Sequence, residues 1–341
     1  MLTSQGCLKP ALFGEKRSCS AFSLCLHVTR GFRKQSVATG QSQSTVCSSR
    51  ELLEKPKRAS PRTDTDFLCT PCGLPLPKRI HLELDESRLR VDGRVIIVGD
   101  IHGCCDEFLT LLKKCKYRED RDNLILVGDL VNKGPKSCEV LSEAVRLGAW
   151  AVRGNHDDGA LMARTAFARN QEIDGRFQWV KNLQPEHLEY LNSLPFTIFL
   201  PSHHVLVVHA GLLPGVKLDR QKLDHMYTMR DVVLHRKTKT FEARQIPCKN
   251  STRWASKWTG PEHAIFGHDA IRKIQKFPLA TGIDSGCVYG NKLTACILPS
   301  PASMQDSLKG PVTRKKLRMK MVSVKAKEVY ERPKPFANDG A

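Results

Sequence analysis

Val95-Ile96-Ile97-Val98-Gly99-Asp100-Ile101-His102-Gly103 and Leu124-Ile125-Leu126-Val127-Gly128-Asp129-Leu130-Val131-Asn132-Lys133-Gly134 are built to one plan. Each is a short, unbroken apolar run that stops at Gly-Asp. A run without polar alternation predicts a strand buried on both faces, and the glycine with its acid predicts a tight exit from it. Between the two runs, Phe108, Leu111, Leu112 and Cys115 are spaced for one face of a helix.

The pattern extends toward the C-terminus. After Ser137, the expected N-cap, Leu141, Ala144 and Val145 again show helical spacing. Ala149-Trp150-Ala151-Val152 reads as a third strand, ending in Arg153-Gly154-Asn155-His156. Strand and helix in alternation imply an α/β fold with a largely parallel sheet, and ligands of such sheets gather at the carboxyl ends of the strands. Residues 185–194 predict a short helix, and residues 196–200 and 205–208 predict strands, the second ending in His209-Ala210-Gly211. Residues 215–250 are basic and weakly periodic, which suggests a helical or irregular insertion. Ile265-Phe266 leads into Gly267-His268-Asp269, and Val288-Tyr289-Gly290-Asn291-Lys292-Leu293-Thr294 carries a hairpin signal.

The chain of 341 residues has room for one large domain with tails, and its formal net charge is +19. Much of that excess lies at the ends: residues 1–50 hold seven Lys/Arg against one acid, Glu15, and residues 301–341 hold ten against four. The acid-poor start fits a mitochondrial transit peptide or a basic extension, so the location is mitochondrial or cytoplasmic. The cluster Arg314, Lys315, Lys316, Arg318 and Lys320 reads as a nuclear or RNA-binding patch or as a solubilising tail. Thirteen scattered cysteines do not form a disulfide framework and favour a reducing compartment; the Cys69/Cys72 spacing has no second pair and reads as incidental. No apolar run is long enough to span a bilayer.

Hydrolysis at phosphorus by two metals needs cations about 3.5–4 Å apart, a carboxylate between them and a hydroxide held for in-line attack. Asp100 and His102 are close enough in sequence to bend toward one cation. Asp129, Asn155, His209 and His268 each stand at the end of a different predicted strand. Six such donors suit two divalent ions, and hard oxygen with imidazole suits Mn, Fe, Co or Zn. Singly, each element is what a turn or a structural histidine also shows; their joint occurrence, in order, points to the metal site.

Gly99-Asp100-Ile101-His102-Gly103, Gly128-Asp129-Leu130-Val131-Asn132-Lys133-Gly134, Gly154-Asn155-His156-Asp157, His209-Ala210-Gly211 and Gly267-His268 together resemble the calcineurin-like metallophosphoesterases of the phosphoprotein-phosphatase superfamily. The likeness spans residues 92–298. Within that group the usual second motif has Asp then Arg where this chain has Asn132 and Lys133, a departure similar to the eukaryotic ApaH-like phosphatases, relatives of bacterial symmetrical diadenosine tetraphosphatase. The segments Thr252-Arg253-Trp254-Ala255, Trp258-Thr259-Gly260-Pro261, Phe266-Gly267-His268-Asp269-Ala270 and Ala280-Thr281-Gly282-Ile283-Asp284-Ser285-Gly286-Cys287-Val288-Tyr289-Gly290 resemble that group as well.

The resemblance implies a β-sandwich of two mixed sheets flanked by helices around a βαβαβ metal-binding core. With it, residues 79–300 are expected to form the catalytic domain; residues 1–78, rich in Ser, Thr, Pro and charge with little hydrophobic periodicity, are expected to be a disordered basic extension, and residues 301–341 a basic tail. The resemblance further implies that Asp100, His102 and Asp129 hold one metal, that Asp129, Asn155, His209 and His268 hold the other, and that His156 is the general acid. Asn132, in place of an acid, is expected to accept a hydrogen bond from His156 without adding negative charge. Lys133 keeps a positive charge for phosphate but gives up the bidentate fork of arginine. Arg230 is a second candidate phosphate contact or a member of a surface ion pair.

The resemblance points to phosphoanhydride substrates: dinucleoside polyphosphates, nucleotide-capped RNA or polyphosphate. A serine/threonine phosphoprotein phosphatase is the competing reading, and a catalytically silent RNA- or phosphate-binding module is a third. Lys113, Lys114, Lys116, Arg236, Lys237, Lys239, Arg244 and Lys249 are candidates for attracting a polyanion or for a solvated face. Trp254 and Trp258 suit base stacking or the core.

Overall fold

The computed structural model describes residues 69–304 and 310–333. The proposed transit peptide lies outside the described residues. In chain order the strands are β1 (His81–Glu83), β2 (Val95–Val98), β3 (Asn123–Leu126), β4 (Trp150–Ala151), β5 (Thr197–Leu200), β6 (Val205–Val208) and β7 (Asp231–His235). They continue with β8 (Thr240–Arg244), β9 (Thr252–Arg253), β10 (His263–Phe266), β11 (Gln275–Lys276), β12 (Ala280–Gly282), β13 (Lys292–Leu298) and β14 (Lys320–Lys325). The α-helices are α1 (Cys105–Lys114), α2 (Ser137–Arg146), α3 (Asn155–Ala168), α4 (Pro185–Ser193) and α5 (Leu223–Thr228). Among the described residues no helix is long and apolar enough to cross a membrane.

One mixed sheet has the order β14-β13-β2-β3-β4, with β2, β3 and β4 parallel and β13 antiparallel to both of its neighbours. A second runs β1-β5-β6-β10-β12-β11, in which β6, β10 and β12 are parallel. The sheets face each other as a sandwich. Val95 and Ile97 of β2, Ile125 of β3 and Cys296 of β13 pack with Ile198, Leu200, Val205, Val207 and Ile265 from the other sheet. The alternate residues Ile96, Val98, Leu124 and Leu126 point the other way and meet Phe108, Leu111, Val140 and Leu141 of the helices. This double burial is why β2 and β3 read as continuous apolar runs. The outer face of the second sheet, Leu206, Val208, Ala264 and Phe266, is covered by Leu223, Met226 and Trp254.

Several expectations are corrected. The stretch expected as a basic tail supplies β14, which pairs antiparallel with all but the last residue of β13, and Val312, Leu317, Val324 and Ala326 are buried. The N-terminal boundary also moves outward: Thr70 is buried and donates to Asp158 Oδ2 at 2.8 Å, and Leu74 joins the helix-side core. Residues 215–250 contribute helix α5 and a β-hairpin, β7 with β8, which β9 extends to a three-stranded sheet. No hairpin forms at 288–294; Cys287–Tyr289 is a 3-10 turn, and β13 pairs with β2 and β14 instead. Ser137 does not cap α2, because its hydroxyl accepts the Asn132 N–H at 2.9 Å. Trp254 is buried in the core against Phe266, where no base can reach it.

Candidate metal centre

Strands β2, β3 and β4 end in Asp100, Asp129 and Asn155; β6, β10 and β12 end in His209, His268 and Asp284. Each set is parallel, so its exits lie on one edge, and the sandwich brings the two edges together. The turns are sharp. His102 (φ 47°), Asp129 (φ 51°), Asn132 (φ 72°), Lys133 (φ 70°) and His268 (φ 67°) all adopt the left-handed conformation that non-glycine residues avoid. Such residues cost on the order of 1–3 kcal/mol each and persist only where their surroundings hold them.

Asp157 does much of that holding. Its buried carboxylate accepts the backbone N–H groups of Asp129, Leu130 and Gly154, each at 2.9 Å, and so ties the exit of β3 to that of β4. Gly154 allows this close approach, since a Cβ there would lie 2.2 Å from Asp129 Oδ1. A Cβ at Gly267 would lie 2.0 Å from Asp100 Oδ1.

Asp129 stands at the centre. One carboxylate oxygen is 3.4 Å from His102 Nε2, and the other is 3.4 Å from His209 Nε2 and accepts the His156 N–H at 2.9 Å. Asn155 Oδ1 lies 3.2 Å from His209 Nε2. The His268 N–H donates to Asp100 Oδ2 at 2.9 Å, and the rings of His209 and His268 are 5.1 Å apart. Possible ligand atoms of Asp129, His209 and His268 fall within 4.8 Å of one another, as do those of His102, Asp129 and His156.

The donor set suits cations. His102 Nδ1 faces Val131 O at 3.2 Å, His209 Nδ1 faces Val127 O at 2.9 Å, and His268 Nε2 faces Thr228 O at 3.1 Å. A carbonyl only accepts, so each of these nitrogens carries a proton; His102 and His268, whose pKa values are depressed, keep the lone pair of the opposite nitrogen, the arrangement typical of metal-ligating histidines, and His209 Nε2 faces the carboxylate of Asp129. Asp100 Oδ1 is buried without a hydrogen-bond partner. Four carboxylates, those of Asp100, Asp129, Asp157 and Asp284, are buried together. Burying such charge is costly unless opposite charge accompanies it.

The electrostatics carry the imprint of that crowding. Desolvation and then Asp284 push the Asp100 carboxyl well above the usual carboxylate range. Burial works against ionisation of Asp129 too, yet His209, His156 and His102 together hold it well below that range. Burial and Lys133 drive His102 down to about 3 and hold His156 well below its ordinary value. For His209 burial is outweighed by Asp129, which lifts the imidazole to about 9.

Around this centre lie the half-buried groups that face solvent. Lys133 Nζ is 3.1 Å from His102 Nε2 and 5.3 Å from the centre of the Tyr289 ring. The Arg230 guanidinium donates to His268 O at 3.4 Å and lies 3.9 Å from Asp269, so it sits beside the strand ends and not in a remote surface pair. Asn132 corrects the expectation made for it: its amide nitrogen, not its oxygen, faces His156 Nδ1 at 3.0 Å, while its oxygen faces Trp179 Nε1 at 3.5 Å. Of the basic residues named from the sequence, Lys114 donates to Ser323 O and Arg244 pairs with Glu242. Asp157, Trp179 and Asp284 were not singled out by sequence reasoning. The only signal for Asp157 and Asp284 was their place within the quoted motifs, and Trp179 carried none.

Strand-end carboxylates, imidazoles and an amide gathered on a mixed-sheet sandwich define a metal-dependent phosphoesterase. Residues 93–291, more than half of the chain, match the calcineurin-like phosphoesterase family, and the chain belongs to it. A crystal structure whose subject is proposed to be a diadenosine tetraphosphatase is 36% identical, covers 73% of this chain and 98% of its own, and superposes with a TM-score of 0.61. Serine/threonine-protein phosphatase 1 of Salmonella typhimurium is 27% identical over 64% of this chain and 96% of its own length. A symmetrical bis(5'-nucleosyl)-tetraphosphatase of Aromatoleum aromaticum is 29% identical over 59% of this chain and 92% of its own. The chain is thus a metal-dependent phosphatase or pyrophosphohydrolase of this family.

Proposed function

We propose that this chain hydrolyses phosphoanhydride bonds in a nucleotide polyphosphate, a nucleotide cap or polyphosphate, using two divalent cations. The observation that carries the two-ion reading is Asp129, whose carboxylate oxygens each lie 3.4 Å from a different histidine Nε2 and so are suited to serve two ions at once. Asp100 and His102 would join it on one ion, with Asn155, His209 and His268 on the other; manganese fits these nitrogen and oxygen donors, as do zinc, iron and cobalt. Bound there, the ions supply Lewis acidity and lower the pKa of water.

The protein's own groups do the rest. Lys133 and Arg230 hold the phosphate chain by charge. His156 stands with a proton for the leaving oxygen, and Asn132 with Trp179 orients it. An anhydride releases a phosphate, a far better leaving group than a serine alkoxide, and an imidazole of depressed pKa with a neutral partner suits that easier departure. Relatives named tetraphosphatases support the same reading.

Phosphoprotein hydrolysis is the second reading, favoured by the Salmonella relative. A panel of diadenosine tetraphosphate, capped RNA, polyphosphate and a phosphopeptide, each with Mn, Zn, Fe or Co and with Asp129→Asn as control, separates the two. We expect turnover of one of the anhydrides to exceed that of the phosphopeptide. Dominant phosphopeptide turnover would overturn the preference, and turnover surviving in Asp129→Asn would overturn the two-ion site.

A further inference from the structure

A second cluster follows two of the metal-centre residues along the chain, Cys104 two positions after His102 and Cys287 three after Asp284. Cys104 sits at the N-terminus of α1, Glu107 in its first turn and Cys287 in the 3-10 turn that follows β12. All three are buried, and their sulfur atoms and one carboxylate oxygen fall within 4.8 Å of one another. Buried cysteines often act only as small apolar fillers. A buried glutamate between two of them does not fit that role. Glu107 Oε1 accepts the Lys327 N–H and the Tyr330 hydroxyl, each at 2.8 Å, whereas Oε2 is buried and accepts no hydrogen bond. A bare buried carboxylate oxygen costs several kcal/mol unless a cation or donor meets it.

We propose that Cys104, Glu107 and Cys287 form a further cation site, distinct from the paired-ion centre, that takes zinc. Two thiolates with one carboxylate match zinc's ligand chemistry and leave a fourth position for water, and sulfur donors disfavour manganese and magnesium. Occupancy ties together four chain segments: the exit of β2, helix α1, the turn at 287–289, and the C-terminal stretch whose Lys327 and Tyr330 clamp Glu107. That same stretch is anchored by Val288 O, which accepts the N–H groups of Tyr330 and Glu331 at 3.0 Å. The ion would therefore brace the two turns that carry His102 and Asp284 without touching substrate.

Cobalt substitution tests this directly, because the Asp, Asn and His donors of the paired-ion centre contain no sulfur. The full-length reduced protein loaded with Co2+ should show a near-ultraviolet sulfur-to-cobalt charge-transfer band. The band should vanish in Cys104→Ser/Cys287→Ser, persist in Cys69→Ser/Cys72→Ser, and persist in Asp129→Asn, where the paired-ion centre is damaged. Zinc stoichiometry should fall by one ion per chain in the Cys104→Ser/Cys287→Ser variant. Should that variant not fold, X-ray absorption at the zinc edge of the unaltered protein reads the same point through sulfur scatterers at about 2.3 Å. Absence of both the band and the sulfur shell, or a band indifferent to the Cys104/Cys287 substitutions, overturns the site.

Discussion

The amide nitrogen of Asn132 lies 3.0 Å from Nδ1 of His156, and this contact sets which nitrogen of the imidazole holds its proton. Trp179 Nε1 can only donate, and it points at Asn132 Oδ1. The amide is thereby oriented with its NH2 toward His156. That group donates, so Nδ1 must accept, and the proton of the neutral ring resides on Nε2. An aspartate at 132 would demand the opposite at Nδ1. The exchange of an acid for Asn132 changes the proton inventory of the site as well as its charge.

The proposed role of His156 as proton donor, through the N–H at Nε2, can be measured. His156→Asn should lower kcat by roughly 10²–10⁴ for a nucleotide leaving group, with little change in KM. With a nitrophenolate leaving group, which departs without a proton, the loss should be far smaller. Trp179→Phe should lower kcat about fivefold in the same substrate-dependent way, the worth of one ~1 kcal/mol hydrogen bond. Equal losses on both leaving groups would show that His156 acts through something other than proton transfer.

Asp157 offers a different test, because it touches no proposed ligand atom. Its three backbone donors converge on two oxygens. Asp157→Asn keeps the volume but replaces one acceptor with an NH2, so at least one buried N–H loses its partner, at about 1–3 kcal/mol. We expect a lower Tm and weaker ion retention by isothermal titration, since the left-handed turn at Asp129 is no longer held to Gly154. Unchanged ion affinity in a destabilised variant would confine Asp157 to stability.

What the sequence made legible was the frame: two apolar runs, their Gly-Asp exits and the strand-end histidines, because double burial and sharp turns leave strong local marks. What it hid had physical reasons. β14 reads Lys-Met-Val-Ser-Val-Lys, and lysines that shield an edge strand from further pairing look, in sequence alone, like a charged tail. Helix α3 opens with Asn-His-Asp-Asp-Gly, residues that favour turns, and buries only Ala160, Leu161 and Ala163 beyond them, so no apolar stripe announces it. The amide orientation of Asn132 depends on Trp179, forty-seven positions away in the chain, and no local pattern encodes it.

The role of the C-terminal stretch can be measured by ending the chain at residue 309. This deletes Val312, Leu317, Val324 and Ala326 from the core and strips Glu107 of both its donors. At about 1.5–3 kcal/mol for each of the larger apolar side chains, the loss approaches the whole stability of a typical domain. The truncated protein should therefore be insoluble or unfolded by circular dichroism. A soluble form with an unchanged Tm would return this stretch to the status of a tail.

His263 gives the fold a dependence on pH that can be read apart from the metal centre. It is fully buried, with Nδ1 2.9 Å from Val312 O and Nε2 2.9 Å from Thr281 Oγ1, so it links β10 to β12 and to the C-terminal stretch. Burial is the main cause that lowers its pKa from 6.5 to about 4. As pH falls through 6.5 the unfolded chain takes up a proton that the native state refuses until about pH 4. Stability from this group is therefore complete above pH 6.5, declines between 6.5 and about 4, and levels off below. The full difference is about 3 kcal/mol. Urea midpoints for the unaltered protein and His263→Gln, measured across that range, should converge toward acid, with the variant's curve the flatter. Acid release of bound cations affects both proteins alike and cancels in the difference, so two parallel curves would remove His263 as the source.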